Sequence, residues 1–346
     1  MSAGNGEPVL ISVYVPFVVT ATLTVLAPRM VRRLPPRPAA WALACAALVT
    51  AVGWTGSLAL LAFTGVAQIP QIAEEGRWSV AALRAEDPVY LVVAVGSALV
   101  LTAGIVSLGV AAIRQARHLI RARRECADLP GEIELAVVDD DTPLAFALPG
   151  APGRIVVSRG MLRCLGNDER EALLAHERAH LRGRHHLFQG LWRLTAALNP
   201  LLRPLAAAGG FVLERWADEE AAERVGDRTV VAHAVGRAAL ASAGASRPTA
   251  LAVTGGAVPQ RVRALLAPPP ARRRLPFVTG GLLLAVCCAS LANAASDSDH
   301  MMDSAHRVLC AAHVSTASAP RAADDQREPD FCCGGHDRLQ RGRHRA

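Results

Sequence analysis

The segment His176-Glu177-Arg178-Ala179-His180 combines two imidazoles and a carboxylate at the spacing of one helical turn. Because residues four apart share a helix face, His176 and His180 can bind one zinc ion while Glu177 stands beside it. Zinc makes water a usable nucleophile near neutral pH, and a neighbouring carboxylate can accept the proton of that water. The pattern predicts hydrolysis of peptide bonds, with Glu177 as general base and Zn²⁺ as cofactor.

A catalytic zinc needs a third protein ligand, and the sequence offers two sources for it. On a second helical pattern, Glu214 and Asp218 are four residues apart, so one can bind the metal while the other orients a ligand imidazole. The rival is His186, which together with Gly183 fits the extended spacing H-E-x-x-H-x-x-G-x-x-H. No Met follows the motif before Met301, so the Met-turn of that class is missing. This absence favours Glu214 but leaves His186 open.

The residues around the motif predict a helix. Asp168 and Glu171 have the spacing of a capping box, and an apolar run from Ala172 to Ala175 follows. The alternative is a surface helix that carries two solvated histidines. The later pair His185 and His186 is interpreted as a basic helix end.

HERAH followed by ERWAD resembles the integral-membrane gluzincin peptidases. That group includes the CAAX prenyl protease type, the heat-shock membrane protease type and the beta-lactam sensor and antirepressor type, and the last is the expected nearest relative. The resemblance implies His176, His180 and Glu214 as zinc ligands, Glu177 as base, and Asp218 as the support of a ligand histidine. It also implies a zincin-like domain, a protein or peptide substrate, and a regulatory protein such as a repressor as a partner.

The composition predicts a mainly α-helical membrane protein. Hydrophobic residues make up 51% of the 346 residues, charged residues only 19%, and the mean hydropathy is +0.26. The net charge of +7 comes from arginine alone, because the chain has no lysine. Since the arginines cluster beside apolar spans, they indicate membrane topology, and we expect a lipid bilayer but no nucleic acid as partner.

About four transmembrane helices are expected. Three lie in a membrane domain over 1–124, at about 9–27, 42–66 and 89–113; the fourth covers 277–294, and its alternative is a buried helix. Arginines follow the first and third spans, whereas the loop between the second and third is acidic. The positive-inside rule then places the protein in the cell membrane as a multi-pass protein, with the N-terminus and the tail outside. The tail, 295–346, is predicted to be polar and disordered.

Residues 125–270 then form a cytoplasmic zinc metallopeptidase domain of the α+β kind, containing a short β-hairpin or sheet. Strand patterns cover 133–138, 144–148 and 154–158, with the turn Asp139-Asp140-Asp141 after the first. An exposed strand edge can hydrogen-bond the backbone of any peptide, and in the resembling group such an edge holds the substrate. The interrupted apolar segment 187–212 contains two arginines and is predicted to be an amphipathic or re-entrant helical pair at the membrane surface.

Two functions from different classes remain open. The first is a membrane-bound zinc-dependent metalloendopeptidase that cuts membrane-associated or regulatory proteins. The second is a catalytically silent membrane scaffold or signal transducer that retains the fold. The intact pair of motifs favours the peptidase, because a silent protein has no need for a base beside a metal.

Overall fold

The computed structural model describes residues 9–69, 71, 74, 91–128, 134–245, 257–269 and 275–317. The predicted acidic loop lies almost wholly outside these ranges, as do the start of the third span, residue 133 and the tail beyond 317. The helices are α1 Val9–Met30, α2 Pro36–Val66, α3 Leu91–Asp128, α4 Arg159–Cys164, α5 Asn167–Arg182, α6 His185–Leu198, α7 Arg203–Val225, α8 Arg228–Ala245, α9 Ala257–Leu266 and α10 Leu275–Ala317. Two 3₁₀ turns, Val31–Arg33 and Pro200–Leu202, precede α2 and α7.

Four helices are long and apolar enough to cross a membrane, as the sequence predicted. The apolar stretches are Val13–Arg33, Pro36–Val66, Leu91–Asp128 and Phe277–Ser296. A helix is the natural solution there, because it satisfies every backbone polar group within the segment. The helix α3 runs past its predicted end at 113, since the basic stretch 114–128 contains no proline or glycine to stop it.

The polar stretch after the fourth span differs from the prediction. Residues 295–317 were expected to be disordered, but α10 continues as one helix through Ala317. From 282 to 317 the chain has no proline or glycine to stop the helix, and residues 295–317 include five alanines and two methionines, which favour helix. Low hydrophobicity alone was therefore a poor guide to order in this segment.

A small sheet lies beside the motif helix. Its strands are β1 Leu135–Val138, β2 Ala145–Leu148 and β3 Arg154–Ser158, in the order β1-β3-β2. The pair β2–β3 is the antiparallel hairpin predicted from the sequence, whereas β1 runs parallel to β3. All five residues of β3 are buried, so the central strand anchors the sheet. Within the described residues, β2 pairs on one side only and forms an edge.

The interrupted segment forms a pair of helices, as expected, and its amphipathic or re-entrant position at the membrane surface stays a prediction. Helices α6 and α7 are joined by a turn that packs among the candidate membrane spans, where the Leu201 carbonyl accepts a hydrogen bond from Thr24 Oγ1 at 2.9 Å. The same turn also approaches α3. A Cβ added to Gly104 of α3 would lie 2.9 Å from the carbonyl oxygen of Leu198. Gly104 is therefore needed for this approach. The turn reaches well into the apolar part of the bundle.

One buried core joins α6 and α7 to the first two candidate spans. It contains Val31, Leu34, Leu43, Ala47, Trp192, Leu205, Val212 and Leu213 among others. Arg215 of α7 lies at the polar end of this core and is only 4% exposed. Its guanidinium donates hydrogen bonds to the carbonyls of Val31, Arg32 and Leu34 at 2.9, 3.3 and 3.3 Å. The basic loop between α1 and α2 thus lies against α7, the helix that contains Glu214.

Candidate metal centre

The motif helix α5 begins slightly earlier than the sequence suggested. Gly166 occupies the N-cap position, and its backbone N–H donates to Glu169 Oε2 at 2.8 Å. The predicted capping box at Asp168 and Glu171 is wrong, because Asp168 already lies in the first turn. A capping box forms at the residue where the extended backbone passes into the helix, and in α5 that residue is Gly166.

Small side chains bring α5 and α7 close together. Ala172 and Ala175 of α5 are buried in one cluster with Ala221 of α7, and each of these three is at most 1% exposed. Alanines in the contact let two helix axes approach more closely than larger residues would. The close packing places the histidines of α5 opposite the carboxylates of α7.

Three side chains converge at this contact as metal ligands would. His176 Nε2 lies 3.1 Å from His180 Nε2, and each of these nitrogens lies 3.6 Å from an oxygen of Glu214. Ligand atoms about 2.0–2.1 Å from a tetrahedral zinc are roughly 3.3–3.4 Å apart, and the observed separations, in which each nitrogen lies near a different oxygen of Glu214, are close to this spacing. Among the described residues, these three form the group of His, Cys, Asp and Glu side chains that could hold a metal ion. His186 stands outside this group.

Each histidine of the cluster has a partner behind it. His176 Nδ1 lies 3.0 Å from Asp218 Oδ1, and Asp218 is 1% exposed. His180 Nδ1 lies 2.7 Å from Nδ1 of His185. If His180 offers Nε2 to a metal, its Nδ1 carries the proton and His185 accepts it, which fixes the tautomers of both rings. The two partners orient the imidazoles so that their Nε2 atoms face Glu214.

The turn between α5 and α6 makes the contact with His185 possible. A Cβ on Gly183 would lie 2.4 Å from Nε2 of His185, so only glycine leaves room for the ring. The next residue, Arg184, adopts the left-handed conformation with φ 49°, which is uncommon for a residue with a side chain. This sharp turn places His185 between His180 and the indole of Trp216, whose ring centroid lies 4.6 Å from that of His185.

Arg261 of α9 completes the polar network. Its Nη1 lies 2.8 Å from Glu214 Oε2, while its Nε and Nη2 donate to the two oxygens of Asp218 at 2.8 and 2.7 Å. One guanidinium therefore pairs with the carboxylates of both Glu214 and Asp218. Sequence reasoning missed this residue, because α9 lies more than forty positions beyond Glu214 and carries no recognisable motif. It also missed His185, which was interpreted only as part of a basic helix end.

Burial and neighbouring charges shift the pKa values of the cluster strongly. Burial alone lowers the pKa of His176, but the neighbouring carboxylates of Asp218 and Glu214 outweigh this effect and raise it to about 10. Burial, reinforced by the charge on His176, lowers the pKa of His180 to about 4. For Glu214 the effect of burial is overcome by His176 and Arg261, which hold its pKa well below the usual range. Glu214 is therefore a carboxylate, as a metal ligand must be.

The pKa of Glu177 is shifted upward, in the opposite direction to that of Glu214. Its side chain is buried, and burial raises the pKa of its carboxyl although the charge on His176 opposes the shift. A carboxyl whose pKa is raised toward neutrality suits a group that must both accept and return a proton. The backbone of Ala147 in β2 also opposes the shift, and Ala147 lines the same cleft as Glu177. The edge strand thus faces the candidate base directly.

A cleft of about 320 Å³ runs along β2 to the cluster. It is lined by Ala145, Phe146 and Ala147 on the strand side, and by His180 and Glu177 on the helix side. His186, the rival third ligand, lies on the wall of this cleft. Burial together with the nearby positive charges of Arg123 and Arg184 lowers its pKa.

Comparison with known proteins agrees with this arrangement over the centre of the chain. Residues 113–248 match the model of Peptidase family M48. A stretch of 98 residues is 33% identical to a Protease HtpX homolog of Thermococcus sibiricus, covering 28% of this chain and 32% of the relative. Over 53 residues, identity is 51% with the Mitochondrial metalloendopeptidase OMA1 of Schizosaccharomyces pombe (15% of each chain) and 45% with a Protease HtpX homolog of Thermoplasma acidophilum (15% and 17%).

The chain spans about a third or less of the length of these relatives. No solved structure gives a significant match. The similarity supports a relation to M48 metallopeptidases over the segment that holds the histidines and both carboxylates of the cluster. The finer likeness to antirepressor-type peptidases stays a prediction.

Proposed function

We propose that this chain is a membrane-bound zinc endopeptidase that hydrolyses peptide bonds of membrane-associated or regulatory proteins. The observation that carries the proposal is the triangle of His176, His180 and Glu214 atoms beside the buried carboxyl of Glu177. The similarity to M48 peptidases over residues 113–248 supports the same reaction class.

In this proposal His176, His180 and Glu214 hold the zinc ion. Zinc bound there would supply Lewis-acid chemistry, activating a water and polarising the scissile carbonyl. Asp218 and His185 hold the two imidazoles in the tautomers that expose Nε2. Arg261 keeps the carboxylates of Glu214 and Asp218 ionised and in place.

Glu177 is the proposed proton carrier. Its carboxylate takes a proton from the attacking water, and the resulting carboxylic acid donates that proton to the nitrogen of the leaving amine. Burial favours the neutral form of this carboxyl, so the second transfer starts from a group that holds its proton well. Glu177 and Ala147 of β2 line the same cleft, so the carboxyl lies beside the proposed path of the substrate.

The substrate backbone is proposed to bind along β2. The outer side of this strand has no ladder partner among the described residues, and the cleft beside it leads to Glu177. A peptide in extended form can add to such an edge through main-chain hydrogen bonds, whatever its sequence. The edge would thus position the scissile bond without deciding which residues flank it.

We place the site on the cytoplasmic side of the cell membrane. Arg215 binds the basic loop that follows α1 to the helix of Glu214, so the cluster lies at the same end of the bundle as this loop. Positive loops favour the cytoplasmic side, and the re-entrant pair then brings the site close to the bilayer surface. Membrane-associated proteins would present their cut sites at this depth.

The test compares the purified full-length protein with Glu177→Gln in detergent micelles. We expect both to bind zinc equally, because Glu177 is not a ligand, while Glu177→Gln loses cleavage of casein by about 10²–10⁴-fold. Equal cleavage by the two proteins would refute the mechanism. Absence of zinc and of cleavage from the unmodified protein would instead favour the silent scaffold.

The third ligand is tested by zinc content alone. Glu214→Gln is expected to lose bound zinc, whereas His186→Gln is expected to keep it, because His186 lies outside the triangle of ligand atoms. Loss of zinc only in His186→Gln would overturn the assignment. His233→Gln, an exposed histidine of α8, is the control for a neutral change.

A further inference from the structure

A groove separate from the cleft along β2 lies between α2 and the turn that joins α5 to α6. Its volume is about 650 Å³, which is within the usual range of small-molecule sites. The three candidate zinc ligands and Glu177 do not line it. The groove is therefore distinct from the candidate metal centre.

One part of the groove is apolar and follows a candidate membrane span. Trp41 and Leu48 of α2 are 57% and 47% exposed, and Leu187 of α6 faces them at 52% exposed. The ring of Phe188 lies edge-on to that of Trp41, with the centroids 4.9 Å apart, and closes the groove from below. Because α2 is long and apolar enough to cross a bilayer, lipid chains would contact these side chains.

The other end of the groove is basic. Arg37, Arg182 and Arg184 line it, together with the carboxylate of Glu220. Arg182 pairs with Glu220 at 3.4 Å, whereas neither Arg37 nor Arg184 pairs with a carboxylate within the part of the chain that the structure describes. The guanidinium of Arg37 lies over the ring of Trp216, 5.6 Å from its centroid. Two positive charges therefore remain for an anion at this end.

The spacing of the two parts fits one leaflet of a bilayer. From Arg37 to Leu48 the helix α2 rises about 17 Å, at ~1.5 Å per residue. This length is close to half of the ~30 Å hydrocarbon core of a membrane. The basic end thus coincides with the start of the span, where lipid headgroups lie, and the apolar part extends from there into the leaflet.

A molecule with a phosphate at one end and an apolar chain at the other fits this groove. Guanidinium groups bind phosphate oxygens through charge-assisted hydrogen bonds, and basic pockets between membrane helices bind anionic headgroups. We propose that the groove binds one anionic phospholipid, with its phosphate on Arg37 and Arg184 and an acyl chain along α2. The inference requires α2 to lie in the membrane, but it does not depend on the proposed peptidase activity.

The experiment titrates the full-length protein in micelles with phosphatidylglycerol or phosphatidylethanolamine of identical acyl chains, and native mass spectrometry counts the bound lipids. We expect one phosphatidylglycerol per chain, bound roughly 30-fold more tightly than phosphatidylethanolamine, at about fivefold for each of the two unpaired arginines. Inorganic phosphate is not expected to displace it. Displacement by phosphate would identify a soluble anion as the ligand. Equal affinity for the two lipids would favour an apolar occupant such as a protein helix, and either result would overturn the proposal.

The basic end is tested by combining Arg37→Gln with Arg184→Asn. Asparagine tolerates the left-handed conformation of residue 184. This variant is expected to bind both lipids alike. The control combines Arg32→Gln with Arg33→Gln, which removes two exposed arginines of the loop before α2 that do not line the groove, and it should keep the preference. An equal loss in both variants, or a loss in neither, would refute the assignment.

The apolar part is tested by Cys45→Trp. Cys45 is exposed and lines the groove, so the larger side chain fills it without entering the core. We expect loss of phosphatidylglycerol binding, whereas Val18→Trp at an exposed position of α1 should retain it. Unchanged binding by Cys45→Trp would exclude this groove as the lipid site.

The unmodified protein decides the matter even where a variant fails to fold. Alkylation of Cys45 by a maleimide, mapped by mass spectrometry, reports directly on access to the groove. Phosphatidylglycerol is expected to slow this reaction more than phosphatidylethanolamine does. Equal rates in the two lipids would overturn the proposal.

Discussion

Replacing Arg261 with methionine is expected to destabilise the metal-free protein by about 3–5 kcal/mol, the usual cost of leaving a buried charge without its partner. The side chain of Arg261 is 12% exposed and makes contacts of 2.7–2.8 Å with the carboxylates of Glu214 and Asp218. Methionine keeps much of the length of the side chain but supplies no charge and no donor. The buried carboxylate of Asp218 and the partly exposed carboxylate of Glu214 would then repel each other close to His176.

Bound zinc is expected to reduce the loss of stability caused by Arg261→Met. A divalent cation bound to Glu214 supplies positive charge to the same carboxylates, so Arg261→Met is expected to cost less in the zinc-loaded protein. By thermodynamic linkage, the folded variant must then bind zinc more tightly than the unmodified protein does.

The assay is chemical unfolding in detergent micelles, followed by tryptophan fluorescence with and without zinc. Arg237→Met is the matched control, because Arg237 pairs with Glu169 at 3.0 Å but is 61% exposed, and loss of such a surface pair costs about 0–1 kcal/mol. Equal destabilisation by the two substitutions, or an equal loss in both zinc states, would refute the reasoning.

Two other changes probe the partners of the histidines. Gly183→Ala is expected to displace the His185 ring and to destabilise the protein by about 1–3 kcal/mol, as overpacking usually does. Gly236→Ala, in open space on α8, is the control and should be neutral or stabilising. Similar unfolding midpoints for the two variants would contradict the close approach of Gly183 and His185. Asp218→Asn removes the carboxylate behind His176 and is expected to weaken zinc binding by about 10–100-fold, measured by competition with a chelator. Unchanged zinc affinity would mean that Asp218 interacts functionally with Arg261 alone.

The parts of the site that the sequence predicted are those defined by local spacing. His176 and His180 share a face of α5 because they are four apart, and Glu214 and Asp218 share a face of α7 for the same reason. The convergence of these two faces needed only the packing of two helices. The four apolar helices were also predictable, since a bilayer imposes their length and composition.

The parts that the sequence did not predict depend on tertiary contacts. The role of His185 requires a left-handed residue at Arg184 and a glycine before it, and nothing in the local pattern demands that conformation. Arg261 reaches the cluster only because α9 packs beside α7 and α8. The parallel pairing of β1 with β3 likewise rests on contacts distant along the chain.

The core that α1 and α2 share with α6 and α7 limits which fragments of the protein can fold. A fragment that begins near residue 125 would expose Trp192, Leu205 and Val212, which are now covered by residues of α1 and α2 and by the loop between them. It would also leave Arg215, next to Glu214, without the carbonyl groups that now hold it. Such a water-facing apolar surface promotes aggregation. The first two candidate spans are therefore part of the folding unit of the candidate metal centre, and a fragment without them is not expected to fold as a soluble domain.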